Sequence, residues 1–169
     1  MSATAESRSV QPARLGSLAV MGVSAFMLAF ALVSQYGFGL RPCALCYWQR
    51  WPYWVTIAIG ATAFFLRGWW QRALLLLAAA TFLTGAGIAF FHVGVEYGWW
   101  QGLAECSGGG TASTLEDLRS QLLGAKPVRC DEPQFVFLGL TMAGWNFLLS
   151  LLYAGACLFM AARMKEARA

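Results

Sequence analysis

Four long, mostly apolar runs, uncharged except for Arg50 in the second, dominate the chain and restrict what it can fold into. The first extends from Leu15 to about Gln35, and the others cover approximately residues 47–66, 73–95 and 141–162. When they are helical, runs of about 20 apolar residues match the ~30 Å hydrocarbon core of a bilayer. We therefore predict four transmembrane helices.

The composition also excludes an ordinary soluble domain. Hydrophobic residues make up 59% of the 169 residues and charged residues only 12%, too few to cover the surface of a soluble fold. We expect an all-α, four-helix bundle that forms a single integral membrane domain over residues 1–169. The first run is longer than a typical signal-peptide core, so we expect it to be retained as a span.

The distribution of charge predicts the orientation. Basic residues lie in the N-terminal segment, in the turn at residues 67–72 and in the C-terminal tail, where Glu6 and Glu166 are the only acidic residues. By the positive-inside rule, both termini are cytoplasmic. The loops at about residues 36–46 and 96–140 then face the periplasm, a compartment in which disulfides persist.

Each of these outer loops carries a pair of cysteines. Cys43 and Cys46 form a C-x-x-C motif directly before the second span, and Cys106 and Cys130 flank the polar part of the long loop. A C-x-x-C pair can close a small reactive disulfide, and a helix N-terminus favours the thiolate through the helix dipole. With the second pair as its exchange partner, this placement predicts thiol–disulfide chemistry at the membrane surface.

Three segments carry a resemblance to a known family. They are Pro42–Arg50 with the sequence PCALCYWQR, Cys130 followed by Asp131, and Phe137–Asn146 with the sequence FLGLTMAGWN. In these segments, and over most of its length, the chain resembles the bacterial disulfide bond formation protein B (DsbB) family of inner-membrane oxidoreductases. A C-x-x-C motif alone would not be specific, but the three segments together are.

The resemblance implies a protein-dithiol:quinone oxidoreductase that supports disulfide formation in exported proteins. A reduced periplasmic thioredoxin-like oxidase, DsbA, would attack a Cys106–Cys130 disulfide through Cys106. The freed Cys130 would attack Cys43 and release Cys46 as a thiolate beside a bound quinone, either ubiquinone or menaquinone. Because DsbA is itself a strong oxidant, only a more oxidising acceptor could drain its electrons. Four spans with two reactive loops suffice for this work as a monomer.

Arg50 is the first candidate for quinone binding. On a helix entered at Cys46, a side chain four residues later would share the face of that cysteine. The guanidinium could then stabilise both a thiolate and a quinone oxygen, and a family motif residue matches this position. An arginine that reaches lipid headgroups is the alternative.

The other candidates for quinone binding are His92, Tyr47 and Trp48, with Trp51 and Trp54 as further walls. His92 is the only histidine and lies near the outer end of the third span, where family members often place a quinone-associated histidine. Aromatic residues also occupy this membrane level generically. Interfacial packing is therefore the alternative for each.

Glu96 follows His92 by four residues. It could orient the imidazole or pair with Arg50. An exposed carboxylate at the start of the loop is the simpler expectation.

Three residues of the last span are expected to be structural. We expect Trp145 and Asn146 to serve helix packing and an interhelical hydrogen bond, since buried amides need partners in lipid. Cys157 lies in the middle of the span, where a free cysteine behaves as a small apolar residue.

The long loop contains one readable element. Ser113–Glu116 matches a capping box, and leucines recur on one helical face after it. We predict a short amphipathic helix there, either on the membrane surface or against its own loop.

Other functional classes fit less well. A structural zinc site built from the four outer cysteines would normally use two C-x-x-C knuckles, whereas Cys106 and Cys130 are far apart in sequence. A transporter would need a polar pathway, and only Arg50 and His92 lie near the core. No basic cluster indicates nucleic acid. A sister subfamily that oxidises one dedicated partner is left open.

Overall fold

The computed structural model describes residues 3–103, 106, 115, 119 and 128–166. Within these ranges the chain forms five helices and one small hairpin. In chain order these are α1 (Ala3–Tyr36), α2 (Ala44–Trp48), α3 (Trp51–Phe65), α4 (Trp69–Glu96), β1 (Val136–Phe137), β2 (Leu140–Thr141) and α5 (Met142–Glu166). The predicted helical class is confirmed, and the predicted loop helix at Ser113–Glu116 lies outside the described residues apart from Leu115.

Three of the described helices are long and apolar enough to cross a membrane. They are Arg14–Tyr36 within α1, the whole of α4, and Met142–Met164 within α5. These helices correspond to the first, third and fourth predicted spans. The remaining helix of the bundle, α3, has 15 residues. At 1.5 Å per residue it is about 22 Å long, which is shorter than the ~30 Å hydrocarbon core of a bilayer.

The second predicted span, residues 47–66, is interrupted instead of continuous. Helix α2 ends at Trp48 and α3 begins at Trp51, so Gln49 and Arg50 lie in the break. Pro52 occupies the first turn of α3. Because proline has no N–H to donate to α2, it starts a new helix there and does not extend the old one.

The helices pack side by side in the order α1, α3, α4, α5. Helices α1 and α3 approach closely at Gly60, where a Cβ would lie 2.7 Å from Met21 Cγ and 3.1 Å from the Ser17 carbonyl oxygen. One turn away, Ser24 Oγ and Thr56 Oγ1 form a buried hydrogen bond of 2.7 Å. Small residues and an interhelical hydrogen bond are what hold helices together where lipid replaces water.

The middle of the bundle forms an apolar core around Phe82 and Leu75. Cys157 belongs to this core and is 2% exposed, so it packs as the small apolar residue that was predicted. Large apolar side chains on the outside, such as Phe26 and Phe30 of α1, are at least half exposed. Such an exposed apolar surface is typical of helices that face lipid.

A hairpin closes the end of the bundle at which α4 ends and α5 begins. Strands β1 and β2 pair antiparallel, and their two-residue connection has positive φ at Leu138 (51°) and Gly139 (79°), as a type I′ turn requires. Trp145 Nε1 donates a hydrogen bond of 2.9 Å to the Phe137 carbonyl oxygen and anchors the hairpin on α5. Both cysteine pairs lie at this end.

Candidate functional site

The C-x-x-C motif forms the N-terminus of α2. Cys43 is the residue before the helix, and its Sγ accepts a 3.3 Å hydrogen bond from the backbone N–H of Cys46. The two Sγ atoms are 2.8 Å apart. Their hydrogen bond and burial raise the pKa of the Cys43 thiol, whereas the same hydrogen bond lowers the pKa of Cys46. In the reduced pair, the negative charge therefore belongs on Cys46.

The cysteines of the long loop form a disulfide that packs against this motif. Cys106 and Cys130 are bonded to each other and are 2% and 1% exposed. They form one buried cluster with Cys43, Leu45 and Val95. The Sγ atoms of Cys43 and Cys130 and a ring nitrogen of His92 all lie within 4.8 Å of one another. The fold thus brings both cysteine pairs to one place.

His92 lies between the two pairs and is 4% exposed. Its Nε2 is 3.6 Å from Cys43 Sγ, and the backbone of Cys130 is a further hydrogen-bond partner of the ring. Its Nδ1 is 2.7 Å from Gln49 Nε2. His92, which was predicted as a quinone contact, thus lies beside Cys43 and Cys130.

A cavity of about 520 Å³ opens beside these residues. Most of the wall surface is apolar, with side chains from α1 and α5 among those that form it. Cys43, Cys46, Arg50 and His92 are among its polar groups, together with buried amides and the carboxylate of Glu96. A mostly apolar cleft with a few convergent polar groups is the usual form of a small-molecule site. The predicted contacts Arg50 and His92 are among its lining residues.

Tyr47, Trp48, Trp51 and Trp54 are absent from the lining of this cavity. Their exposed fractions are 47%, 53%, 68% and 55%. These rings therefore do not form the wall of this cavity, and their role as quinone contacts stays a prediction. Tyr47 instead supports a cavity residue, because the Arg50 guanidinium lies over its ring at 4.9 Å.

Arg50 lies in the break between α2 and α3 and not on a helix shared with Cys46. The prediction of a shared helical face is therefore wrong, although both side chains do line the cavity. Arg50 Nη1 donates a hydrogen bond of 2.7 Å to Gln35 Oε1 of α1. Its positive charge also contributes to the lowered pKa of Cys46, after the hydrogen bonds of Cys43.

Glu96 is not the exposed carboxylate that was expected. Its side chain is 6% exposed, and Oε1 is 3.9 Å from His92 Nε2. Thr141 Oγ1 donates a hydrogen bond of 2.6 Å to Oε2. The carboxylate is buried because the start of α5 covers the end of α4, a contact between residues that are far apart in sequence.

Three buried polar residues that were not predicted as a set extend the site into the bundle. Tyr53 donates to Asn146 Oδ1, and Asn146 Nδ2 donates to Gln49 Oε1. The interhelical hydrogen bond expected of Asn146 is confirmed, but its partners were not foreseen. The sequence feature that could have revealed these contacts is the presence of several polar residues within apolar runs, because buried polar groups in a membrane need hydrogen-bond partners.

Cys43, His92 and Cys130 are also close enough together to hold a metal ion. Metal binding to cysteine requires the thiolate. Because Cys130 is bonded to Cys106, its sulfur is not available as a thiolate ligand in this state.

Comparison with known proteins adds relatives over most of the chain. Residues 13–160 match the model of the family described as disulfide bond formation protein DsbB. Disulfide bond formation protein B of Aromatoleum aromaticum is 30% identical over 156 residues, which cover 88% of this chain and 92% of the relative. The protein of the same name from Xylella fastidiosa (strain Temecula1) is 30% identical over 132 residues, with 71% and 73% covered.

A third relative is an uncharacterized protein of Rickettsia prowazekii. It is 28% identical over 149 residues, which cover 85% of this chain and 86% of the relative. The family match includes the C-x-x-C motif, His92 and Cys130. The chain therefore belongs to the DsbB family of disulfide bond formation proteins.

Proposed function

We propose that this membrane protein reoxidises a periplasmic thioredoxin-fold dithiol oxidase, DsbA, and passes the electrons to a membrane quinone. Membership of the DsbB family supports a disulfide-forming oxidoreductase. The observation that carries the proposal is the proximity of the two cysteine pairs, with Cys43 Sγ and Cys130 Sγ within 4.8 Å of each other. Two pairs at this separation can exchange disulfides after a small movement.

The exchange begins at the loop disulfide. A thiolate of the partner attacks Cys106 Sγ, the Cys106–Cys130 bond breaks, and its electron pair leaves on Cys130. The Cys130 thiolate attacks Cys43 Sγ in a Cys43–Cys46 disulfide, so that a Cys43–Cys130 bond forms and Cys46 leaves as a thiolate. The lowered pKa of Cys46 suits it to be this leaving group.

Access to Cys106 requires part of the site to open. Cys106 is 2% exposed, whereas an attacking thiolate must approach the sulfur directly. We infer that docking of the partner lifts the loop disulfide from the cluster around Cys43. Because this movement depends on docking of the partner, smaller thiols would have no access to Cys106 when the partner is absent.

The cavity beside Cys46 fits a quinone. Its volume is about 520 Å³ and its wall is mostly apolar, as a ring with an isoprenoid tail requires. Arg50 would donate hydrogen bonds to a quinone oxygen, and the apolar side chains of α1 and α5 would hold the ring and tail. A bound quinone supplies a two-electron acceptor for the Cys43–Cys46 dithiol. Ubiquinone and menaquinone both meet these requirements.

The arrangement of the helix ends supports four crossings of the membrane. The end of α4 and the start of α5 meet at the Glu96–Thr141 hydrogen bond, at the cysteine end of the bundle. At the other end, Gln71 of α4 contacts Ser17 of α1, and Arg72 Nε donates to the Ala161 carbonyl oxygen of α5. Helix α3 must therefore lead from the first end to the second. We propose that residues 47–66, from the end of α2 through α3, complete the second crossing.

The charge distribution of the sequence gives the orientation of these crossings. Basic residues concentrate in the N-terminal segment, the 67–72 turn and the C-terminal tail, which are cytoplasmic under the positive-inside rule. We propose a multi-pass protein of the bacterial inner membrane, active as a monomer, with all four relay cysteines facing the periplasm.

The test is quinone reduction by the purified protein in lipid nanodiscs, with reduced DsbA as the electron donor. Turnover is expected with ubiquinone or menaquinone and should vanish in Cys46→Ala. Absence of turnover with both quinones would reject the proposal. Turnover with a different exported dithiol protein but not with DsbA would assign the chain to a dedicated partner.

A further inference from the structure

A chain of buried hydrogen bonds leads from α3 and α5 to Cys43. Tyr53 donates to Asn146 Oδ1, Asn146 Nδ2 donates to Gln49 Oε1, and Gln49 Nε2 lies 2.7 Å from His92 Nδ1. The four side chains Tyr53, Asn146, Gln49 and His92 are 5%, 8%, 7% and 4% exposed. Tyr53, Asn146 and Gln49 also line the cavity, but a place in its wall does not explain why their side chains are hydrogen-bonded to one another and to His92.

The direction of donation along this chain sets the tautomer of the imidazole. An amide oxygen only accepts hydrogen bonds and an amide nitrogen only donates them. Because Tyr53 donates into Asn146, each following group donates to the next, and His92 Nδ1 is an acceptor. A neutral imidazole that accepts at Nδ1 carries its hydrogen on Nε2. Nε2 is the nitrogen that lies 3.6 Å from Cys43 Sγ.

Cys43 gains from a second donor when it carries a charge. Its side chain is buried, and the backbone N–H of Cys46 already donates to its Sγ at 3.3 Å, but each further hydrogen bond to a buried anion offsets more of the cost of its desolvation. The hydrogen bond between the two thiols favours the charge on Cys46 instead, which makes Cys43 the poorer leaving group of the pair. Glu96 also faces His92 Nε2 at 3.9 Å, but Thr141 anchors the other oxygen of its carboxylate.

We propose that Gln49 and Asn146 are positioning residues that hold His92 as the Nε2–H tautomer, so that its ring donates a hydrogen bond to Cys43 Sγ as that sulfur leaves. The proposal rests on the proposed relay. Before the step concerned, the second thiolate of DsbA attacks the DsbA sulfur of the mixed disulfide with Cys106, so that DsbA leaves oxidised and Cys106 leaves as a thiolate. This Cys106 thiolate then attacks Cys130 within the Cys43–Cys130 disulfide. The Cys106–Cys130 bond forms, the Cys43–Cys130 bond breaks, and the electron pair stays on Cys43. No further reactant is needed.

His92 offers a direct spectroscopic test because it is the only histidine of the chain. The full-length protein, prepared without a histidine tag and labelled with ¹⁵N-histidine, is placed in lipid nanodiscs, and the imidazole ¹⁵N resonances report which nitrogen carries the hydrogen. The wild-type protein is expected to show Nε2–H. In Asn146→Leu, the amide of Gln49 is free to turn, and a mixture of both tautomers is expected.

The rate of the step is measured on the same proteins. Reduced DsbA is mixed with the oxidised protein, samples are quenched with acid, and the lifetime of the Cys43–Cys130 adduct is followed on non-reducing gels. The lifetime should lengthen in Asn146→Leu and Gln49→Leu in proportion to the loss of the Nε2–H tautomer, up to roughly tenfold where the hydrogen bond to the charged sulfur is lost completely. Thr56→Val is the matched control, since it removes a different buried hydrogen bond of α3, to Ser24, and should change neither tautomer nor lifetime.

Each outcome decides the matter. An Nδ1–H imidazole in the wild-type protein overturns the proposal, and this measurement needs no variant to fold. A longer lifetime in Asn146→Leu with an unchanged tautomer also overturns it, because the role of the amide would then be structural. If the wild-type protein formed no adduct with DsbA yet lost Nε2–H in Asn146→Leu, the relay would be rejected while the control of the tautomer would stand.

Discussion

Arg50 Nη1 donates a hydrogen bond of 2.7 Å to Gln35 Oε1 and thereby joins the break between α2 and α3 to the end of α1. Both residues line the cavity beside Cys46. Because the amide of Gln35 is neutral, it orients the guanidinium without neutralising its charge. The charge is thus available to a negatively charged oxygen in the cavity.

Replacement of Arg50 should weaken quinone binding more than it slows turnover. A hydrogen bond to a charged group contributes about 1.5–3 kcal/mol, so we expect Arg50→Ala to raise the apparent KM for ubiquinone by roughly ten- to a hundredfold. Gln35→Leu frees the guanidinium and also removes the 3.3 Å hydrogen bond from Gln35 Nε2 to Tyr47 Oη, but it keeps the positive charge and should raise this KM less. The measurement is steady-state quinone reduction at varied ubiquinone concentration. Arg67→Ala, at an exposed position between α3 and α4, is the control, and an effect of Arg50→Ala on protein abundance alone would contradict the assignment.

The five cysteines should fall into two groups according to the effect of their replacement on activity. Replacement of Cys43, Cys46, Cys106 or Cys130 by alanine should abolish quinone-linked oxidation of DsbA, because each would supply one sulfur of the relay. Cys157→Ala should retain most of the activity, since Cys157 lies in the apolar core. It should still lower the melting temperature slightly, because a small cavity replaces the sulfur. Activity lost in Cys157→Ala at an unchanged melting temperature would show that the relay is incomplete.

Gly94 is expected to be required for the packing of Trp100, which lies six residues before Cys106 in the chain. A Cβ at Gly94 would clash with the indole ring of Trp100. The indole could then no longer donate to the Phe91 carbonyl oxygen, a bond of 2.8 Å. Gly94→Ala should destabilise the protein by about 1–3 kcal/mol, as overpacking usually does. It should also slow adduct formation between Cys43 and Cys130, measured by acid quenching.

Gly87 provides the matched comparison on the same helix. A Cβ there would meet nothing within 4 Å, and alanine is favoured over glycine inside a helix by roughly 1 kcal/mol. Gly87→Ala should therefore leave exchange unchanged and raise the melting temperature. Equal losses in both variants would mean that the packing of Trp100 on Gly94 has no special role.

The long helices could be predicted because charged residues delimit apolar runs whose length is set by the bilayer. The structure has α4 from Trp69 to Glu96 and α5 from Met142 to Glu166, close to the predicted spans at 73–95 and 141–162. The only indication of the break at Gln49 and Arg50 in the sequence was Pro52, near the start of the second apolar run. Whether proline kinks a helix or starts a new one depends on what packs around it.

The contacts of the site were harder to predict because they join distant parts of the chain. Glu96 is buried by Thr141, and Gln49 meets Asn146 across two helices. Hydrophobic patterns reveal which residues are apolar but not how each helix is rotated about its axis. For the same reason, hydrophobic patterns do not reveal that Tyr47 and Trp48 are about half exposed.

The reduced C-x-x-C pair should show one thiol, Cys46, that stays reactive at a pH below the ordinary thiol pKa. A hydrogen bond from Cys43 lowers the pKa of Cys46, so the Cys46 thiolate persists as the pH falls and disappears only when the pH passes below this lowered value. Alkylation by iodoacetamide, read site by site by mass spectrometry of the reduced protein, should therefore continue at Cys46 at a pH where Cys43 no longer reacts. Cys43→Ser keeps a weaker donor and should move the profile of Cys46 upward in part, whereas Cys43→Ala should move it further. If the profile of Cys46 stayed in place in both variants, Cys43 would not be the source of the shift, and the N-terminus of α2 or the charge of Arg50 would have to supply it.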